Sequence, residues 1–149
     1  MTEPQIYEGH DLEVLADLPN YYGWIIEVFR PYIKGRTMEI GTGIGTISKL
    51  IFDDTEELFL VEPSTHLTEY LPTSISKSPK VSIFNETLEQ RLPRMADHSC
   101  DTVIMVNVLE HIEDDGSALE ALHRVLKPGG HLLLFVPALQ FLYSELDRK

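Results

Sequence analysis

The stretch Met38–Leu50, MEIGTGIGTISKL, sets glycines at positions 41, 43 and 45 directly after a short apolar run, with Glu39 two places before the first. The spacing predicts a strand over Thr37–Ile40, a tight turn, and a helix over Thr46–Phe52 with Ile47, Leu50 and Ile51 on one face. Glycine suits such a turn because a Cβ would hold a ligand away from the backbone, and because the turn can then take positive φ. The phosphate-binding loop is excluded: Gly45 is followed by Thr46 and Ile47, not by Lys and Ser or Thr. The dinucleotide fingerprint G-x-G-x-x-G also fails, since its third glycine would fall on Thr46 or Ser48. A pyrophosphate would be repelled by Glu39, whereas an amine or sulfonium cation is served by the same carboxylate.

Outward from this turn the chain alternates. Asn20 to Arg30 reads as a helix through Tyr22, Ile25, Ile26 and Phe29, bracketed by Pro31 and Gly35. Leu58–Val61 is a continuous apolar run suited to a strand buried on both faces. Ser64 is placed to cap a helix carrying Leu67, Tyr70 and Leu71, stopped by Pro72. Val81–Phe84 and the β-branched run Asp101–Asn107 supply a third and a fourth strand. Asp114–Lys127 reads as an amphipathic helix ended by Pro128-Gly-Gly130, and His131–Val136 as a fifth strand. Strands alternating with helices predict an α/β, doubly wound, mainly parallel sheet in one domain spanning residues 1–149. Residues 1–36 form its N-terminal helical segment, 37–137 its core and 138–149 a tail.

Composition narrows the function. The chain carries 24 acidic against 12 basic residues, net charge −12, with no basic cluster, so a nucleic acid is not an expected partner. No apolar run is long enough to span a membrane, and the acidic start MTEPQIYEGHDLEV does not read as a secretory signal, so a cytoplasmic protein is expected. A lone Cys100 at the edge of an apolar run is expected to be a buried thiol in a reducing compartment. The histidines lack ligand-like spacing, and no metal is expected.

Twenty-one residues after Gly41, directly after the second strand, stands Glu62. A carboxylate there can accept both hydroxyl hydrogens of a ribose. Together with the glycine turn and Glu39, this describes a ribonucleoside with a cationic tail and no phosphates, which S-adenosylmethionine satisfies.

At this point the chain resembles the class I S-adenosylmethionine-dependent methyltransferases. MEIGTGIGTIS is similar to the family's first motif, LFLVEPS to its second-strand motif, CDTVIMVNVLEHIEDD to its fourth-strand motif, and LHRVLKPGGHLLLFVPA to its last turn and fifth strand. The resemblance implies that Glu39, Gly41, Gly43 and Gly45 border the methionine moiety and Glu62 the ribose. It implies that Glu86, where the family usually has Asp, lies near the adenine amino group, with Thr87 and Leu88 along the ring. Asn107 would face the methionine and methyl group, with Val108 and Leu109 as walls. Tyr21, Tyr22 and Trp24 suit either a lid over the cofactor or plain core packing. His111 is assigned a structural or cofactor-proximal role, and no catalytic residue is named, because methyl transfer needs a fixed base only when the acceptor must lose a proton.

The family generally has seven strands, of which five are visible here. The fifth strand is therefore expected to present an edge that the tail or a second chain covers, giving a homodimer in the latter case. The function implied is methyl transfer to a small-molecule or lipid- or glycan-type acceptor. The alternative is a cofactor-binding module without catalysis of its own, and a nicotinamide oxidoreductase is disfavoured by the missing third glycine.

Overall fold

The computed structural model describes residues 19–136. The expected tail 138–149, Pro137 and the first 18 residues lie outside the described residues. In chain order the elements are α1 (Pro19–Phe29), β1 (Arg36–Ile40), α2 (Thr46–Ile51), β2 (Glu57–Val61), α3 (Thr65–Thr68) and α4 (Thr73–Ser76). They continue with β3 (Val81–Phe84), α5 (Leu88–Arg91), β4 (Cys100–Val106), α6 (Asp115–Val125) and β5 (Leu126–Phe135). The strands form one sheet in the order β3-β2-β1-β4-β5, and every neighbouring pair is parallel. This is the doubly wound α/β architecture expected, with β5 at one edge of the described sheet.

Alternation along each strand divides the core between the two faces of the sheet. Met38 and Ile40 of β1 and Val103 and Met105 of β4 face α6, packing with Ala118, Leu122 and Val125. Leu58, Leu60 and Ile104 face the other way, toward Ile25 and Ile26 of α1 and Ile47 and Ile51 of α2. Glu39, between Met38 and Ile40, is thereby directed to the α1–α2 face. Cys100 is buried, as read from sequence, and burial pushes its thiol pKa up. Among the described residues no helix is long and apolar enough to cross a membrane.

Three boundaries differ from expectation. The helix expected over Asp114–Lys127 ends at Val125, and Leu126 is already extended. Its last carbonyls, on Arg124 and Val125, are taken by the amides of His98 and Ser99 just before β4. Lys127–Gly130 then form an irregular excursion within β5, between the pairs Cys100–Leu126 and Thr102–His131. The helix capped by Ser64 stops at Thr68, because Tyr70 and Leu71 donate to carbonyls only three residues back; Pro72 opens the separate turn α4. The fourth strand ends at Val106, and Asn107 leaves it with φ +54°.

Candidate functional site

Strand order reverses between β1 and β4, and the carboxyl ends of the strands at such a switch point are where doubly wound sheets bind ligands. Gly41 follows β1 there and Asn107 follows β4. Gly41, Gly43 and Gly45 all have positive φ, of 74°, 53° and 83°. A Cβ on Gly41 would overlap Cγ2 of Val108, so the turns after β1 and β4 lie against each other. Asn107 anchors the second turn by donating its amide hydrogen to Phe135 of β5 at 2.8 Å. Its left-handed backbone is one that asparagine tolerates better than most residues.

Two carboxylates are buried beside the glycine turn. Glu62 is 6% exposed; its Oε2 accepts from the amide of Gly43 at 2.9 Å and its Oε1 from the amide of Ser64 at 3.0 Å. A carboxylate offers about four acceptor positions, so each oxygen keeps capacity for a ligand hydroxyl. Glu39 is 2% exposed and accepts from the Ser48 hydroxyl at 2.6 Å. Desolvation pushes its pKa up to about 8, with the Ser48 hydrogen bond pulling it down and the charge of Glu62 raising it further. None of the ion pairs among the described residues involves Glu39 or Glu62. Thr42, between the first two glycines, is buried, and its hydroxyl makes no hydrogen bond within the described residues. The donor set therefore suits a cation carrying hydroxyls and disfavours a phosphate.

The other expected residues gather at the same end of the sheet. Asn85 donates from Nδ2 to the Glu62 carbonyl at 3.2 Å and to Thr68 Oγ1 at 3.0 Å, fixing the end of β3 beside that of β2. Glu86 follows, paired with Arg94 and within 3.9 Å of Arg91. Thr87 caps α5 in a reciprocal box with Gln90, and Leu88 is buried in the core on the α6 side. Tyr22 packs in the α1–α2 core, while Tyr21 and Trp24 meet Phe135 edge-on, Trp24 remaining 57% exposed. His111 lies exposed in a short turn after β4. Ser48 was missed by sequence reasoning, although it is the hydroxyl that holds Glu39; its only signal was a small polar residue on the inner face of α2.

Three comparisons with known proteins bear on this site. The model of a family described as a methyltransferase domain matches residues 38–134. Among curated proteins, "Probable polyketide synthase 42" of Dictyostelium discoideum is 32% identical over 130 residues, covering 74% of this chain but 5% of that protein. The chain thus spans about a twentieth of the length of such relatives. A solved structure from Methanococcus maripaludis, reported as a candidate S-adenosyl-L-methionine-dependent methyltransferase, superposes with a TM-score of 0.70 at 17% identity. The match covers 89% of this chain and 65% of that one. Phosphoethanolamine N-methyltransferase 1 of Haemonchus contortus, solved with phosphoethanolamine and S-adenosylhomocysteine, gives 0.68 at 17% identity, covering 78% and 25%. At these identities the superpositions establish the shared fold.

Proposed function

The chain belongs to the methyltransferase domain family, and from that premise we propose that it transfers a methyl group from S-adenosylmethionine to a small-molecule or lipid- or glycan-type acceptor. The observation that carries this reading is Glu62: a buried carboxylate at the end of β2, oriented by two backbone amides, with acceptor capacity left over. Its free lone pairs suit the two ribose hydroxyls. Glu39 supplies negative potential for the cationic tail, and the glycine backbone from Gly41 to Gly45 lets that tail approach. Asn107 and Val108 wall the crevice from the β4 side, while Glu86, Thr87 and Leu88 border it from the β3 side. When bound, the cofactor supplies an electrophilic methyl on sulfonium. The protein's own contribution is to hold donor and acceptor in line, a positioning effect worth several kcal/mol. An unpaired, buried Cys100 supports a reducing compartment such as the cytoplasm.

Titration calorimetry with S-adenosylmethionine, followed by transfer of labelled methyl into a metabolite pool, tests the proposal. Glu62→Ala should weaken cofactor binding by about 1–3 kcal/mol through lost charge-assisted hydrogen bonds. Glu62→Gln, which keeps the shape and one acceptor oxygen, should lose less. Unchanged affinity in Glu62→Ala would remove the ribose from this position. Binding without transfer to any acceptor would favour a cofactor-binding module over an enzyme.

A further inference from the structure

The crevice holds a buried carboxyl, Glu39, whose charge nothing within the described residues would balance. Glu39 sits in the middle of a strand, flanked across the sheet by Leu60 and Ile104. From α2 it meets Ser48, with Lys49 on the exposed side of that helix. From β2 the charged group is Glu62, of the same sign. From α1 the nearby core contributes Tyr22, while Glu27 is exposed. The turn after β4 carries Glu110 and His111, and neither shifts Glu39. An ionised carboxylate at 2% exposure, hydrogen-bonded among the described residues only by the hydroxyl and backbone amide of Ser48, lacks the solvation that water or a cation would give.

We propose that Glu39 is held as the neutral acid until a cationic ligand enters the crevice, and that its proton leaves for bulk solvent as that ligand binds. The O–H bond of the acid breaks, its electron pair stays on the carboxylate, and the buffer takes the proton. The ligand's positive charge replaces the proton as the counter-charge. Glu39 then acts as a reader of ligand charge: a cation is admitted at the cost of a proton, and a neutral analogue finds no anion to pair with. This deepens the cofactor reading and rests on it.

The direction of the pH effect follows from linkage. Because Glu39 in the free protein titrates at about 8 and the cation favours its ionised form, affinity rises with pH below that value, by up to about tenfold per pH unit. The ligand's own α-amino group titrates at roughly 7.7–8.0, so the window to use is about pH 6 to 7.

The experiment is calorimetry of the full chain with S-adenosylmethionine in buffers of different ionisation enthalpy. The expected result is release of about one proton per ligand bound in that window, abolished in Glu39→Gln. A second variant guards against a folding defect in the first. Ser48→Ala removes the hydroxyl that favours the ionised form, so between about pH 6 and 7 it should still release about one proton per ligand while binding more weakly than the unmodified chain; loss of the proton release in this variant would count against the inference. Binding with no net proton release in the unmodified chain would overturn the inference while leaving the cofactor assignment intact. Failure to bind S-adenosylmethionine at all would overturn both.

Discussion

The two ends of the sheet bury their acidic groups differently. At the amino ends of the strands Lys127, Asp101, Arg36 and Glu57 form a linked set of paired charges. Lys127 reaches Asp101 at 2.7 Å, Asp101 also accepts the Arg36 amide at 2.9 Å, and Arg36 grips Glu57 with two nitrogens at 2.9 and 3.1 Å. Arg124 closes the loop before β4 by donating to the carbonyls of Leu92 and Met95 and pairing with Asp97. A hollow of about 300 Å³ lies at this end, lined by His98, His123 and Leu126–Gly130, with no carboxylate in its wall. At the carboxyl ends, Glu39 and Glu62 are more deeply buried than any of these groups and form no ion pair with another described residue.

The hardest blow to this contrast should come from Gly41→Ala. At φ +74° the new Cβ is strained and overlaps Val108, which predicts a loss of about 2–4 kcal/mol in unfolding free energy together with loss of cofactor binding. Urea denaturation beside ligand titration measures both; a variant as stable as its parent would mean that the two turns do not press on each other.

A smaller effect should sharpen the comparison through pH. Glu39 is raised to about 8 in the folded chain against 4.5 unfolded, so between those values the native state holds the extra proton. Stability from this group is therefore greatest at low pH, falls as pH rises from about 4.5 to about 8, and levels off above. Thermal melts of Glu39→Gln across this range should show a flatter profile than the unmodified chain, with the variant relatively more stable at the alkaline end. Parallel profiles would contradict the burial argument. The least effect is expected at the opposite end. Glu57→Gln removes a solvent-exposed partner of Arg36, and exposed pairs contribute little and are screened by salt. Its melting temperature should match the parent's at physiological salt; a large drop would show that the paired end is structural in a way the carboxyl end is not.

Much of this was legible in the sequence because both faces of the sheet are buried. Leu58–Val61 and the Val103–Met105 segment read as strands from apolar runs alone, and the glycine spacing by itself marks the turn. Glu62 was legible by its distance from that turn. Ser48 was not, since only the register of α2 against β1 shows that this hydroxyl, and not that of Thr46, faces Glu39. Thr87 and Gln90 carry a readable signal, the three-residue spacing of a capping box. The end of α6 was obscured because its terminator is remote: the amides of His98 and Ser99, not Pro128, claim its final carbonyls.

The two hydrogen bonds made by Glu62 have one more consequence. A single side chain ties the loop after β1 to the loop after β2, so the position is a bolt of the scaffold as well as the ligand contact proposed above. Loss of the acid would therefore loosen two loops at once, and a chain that bound nothing there would still have reason to keep it.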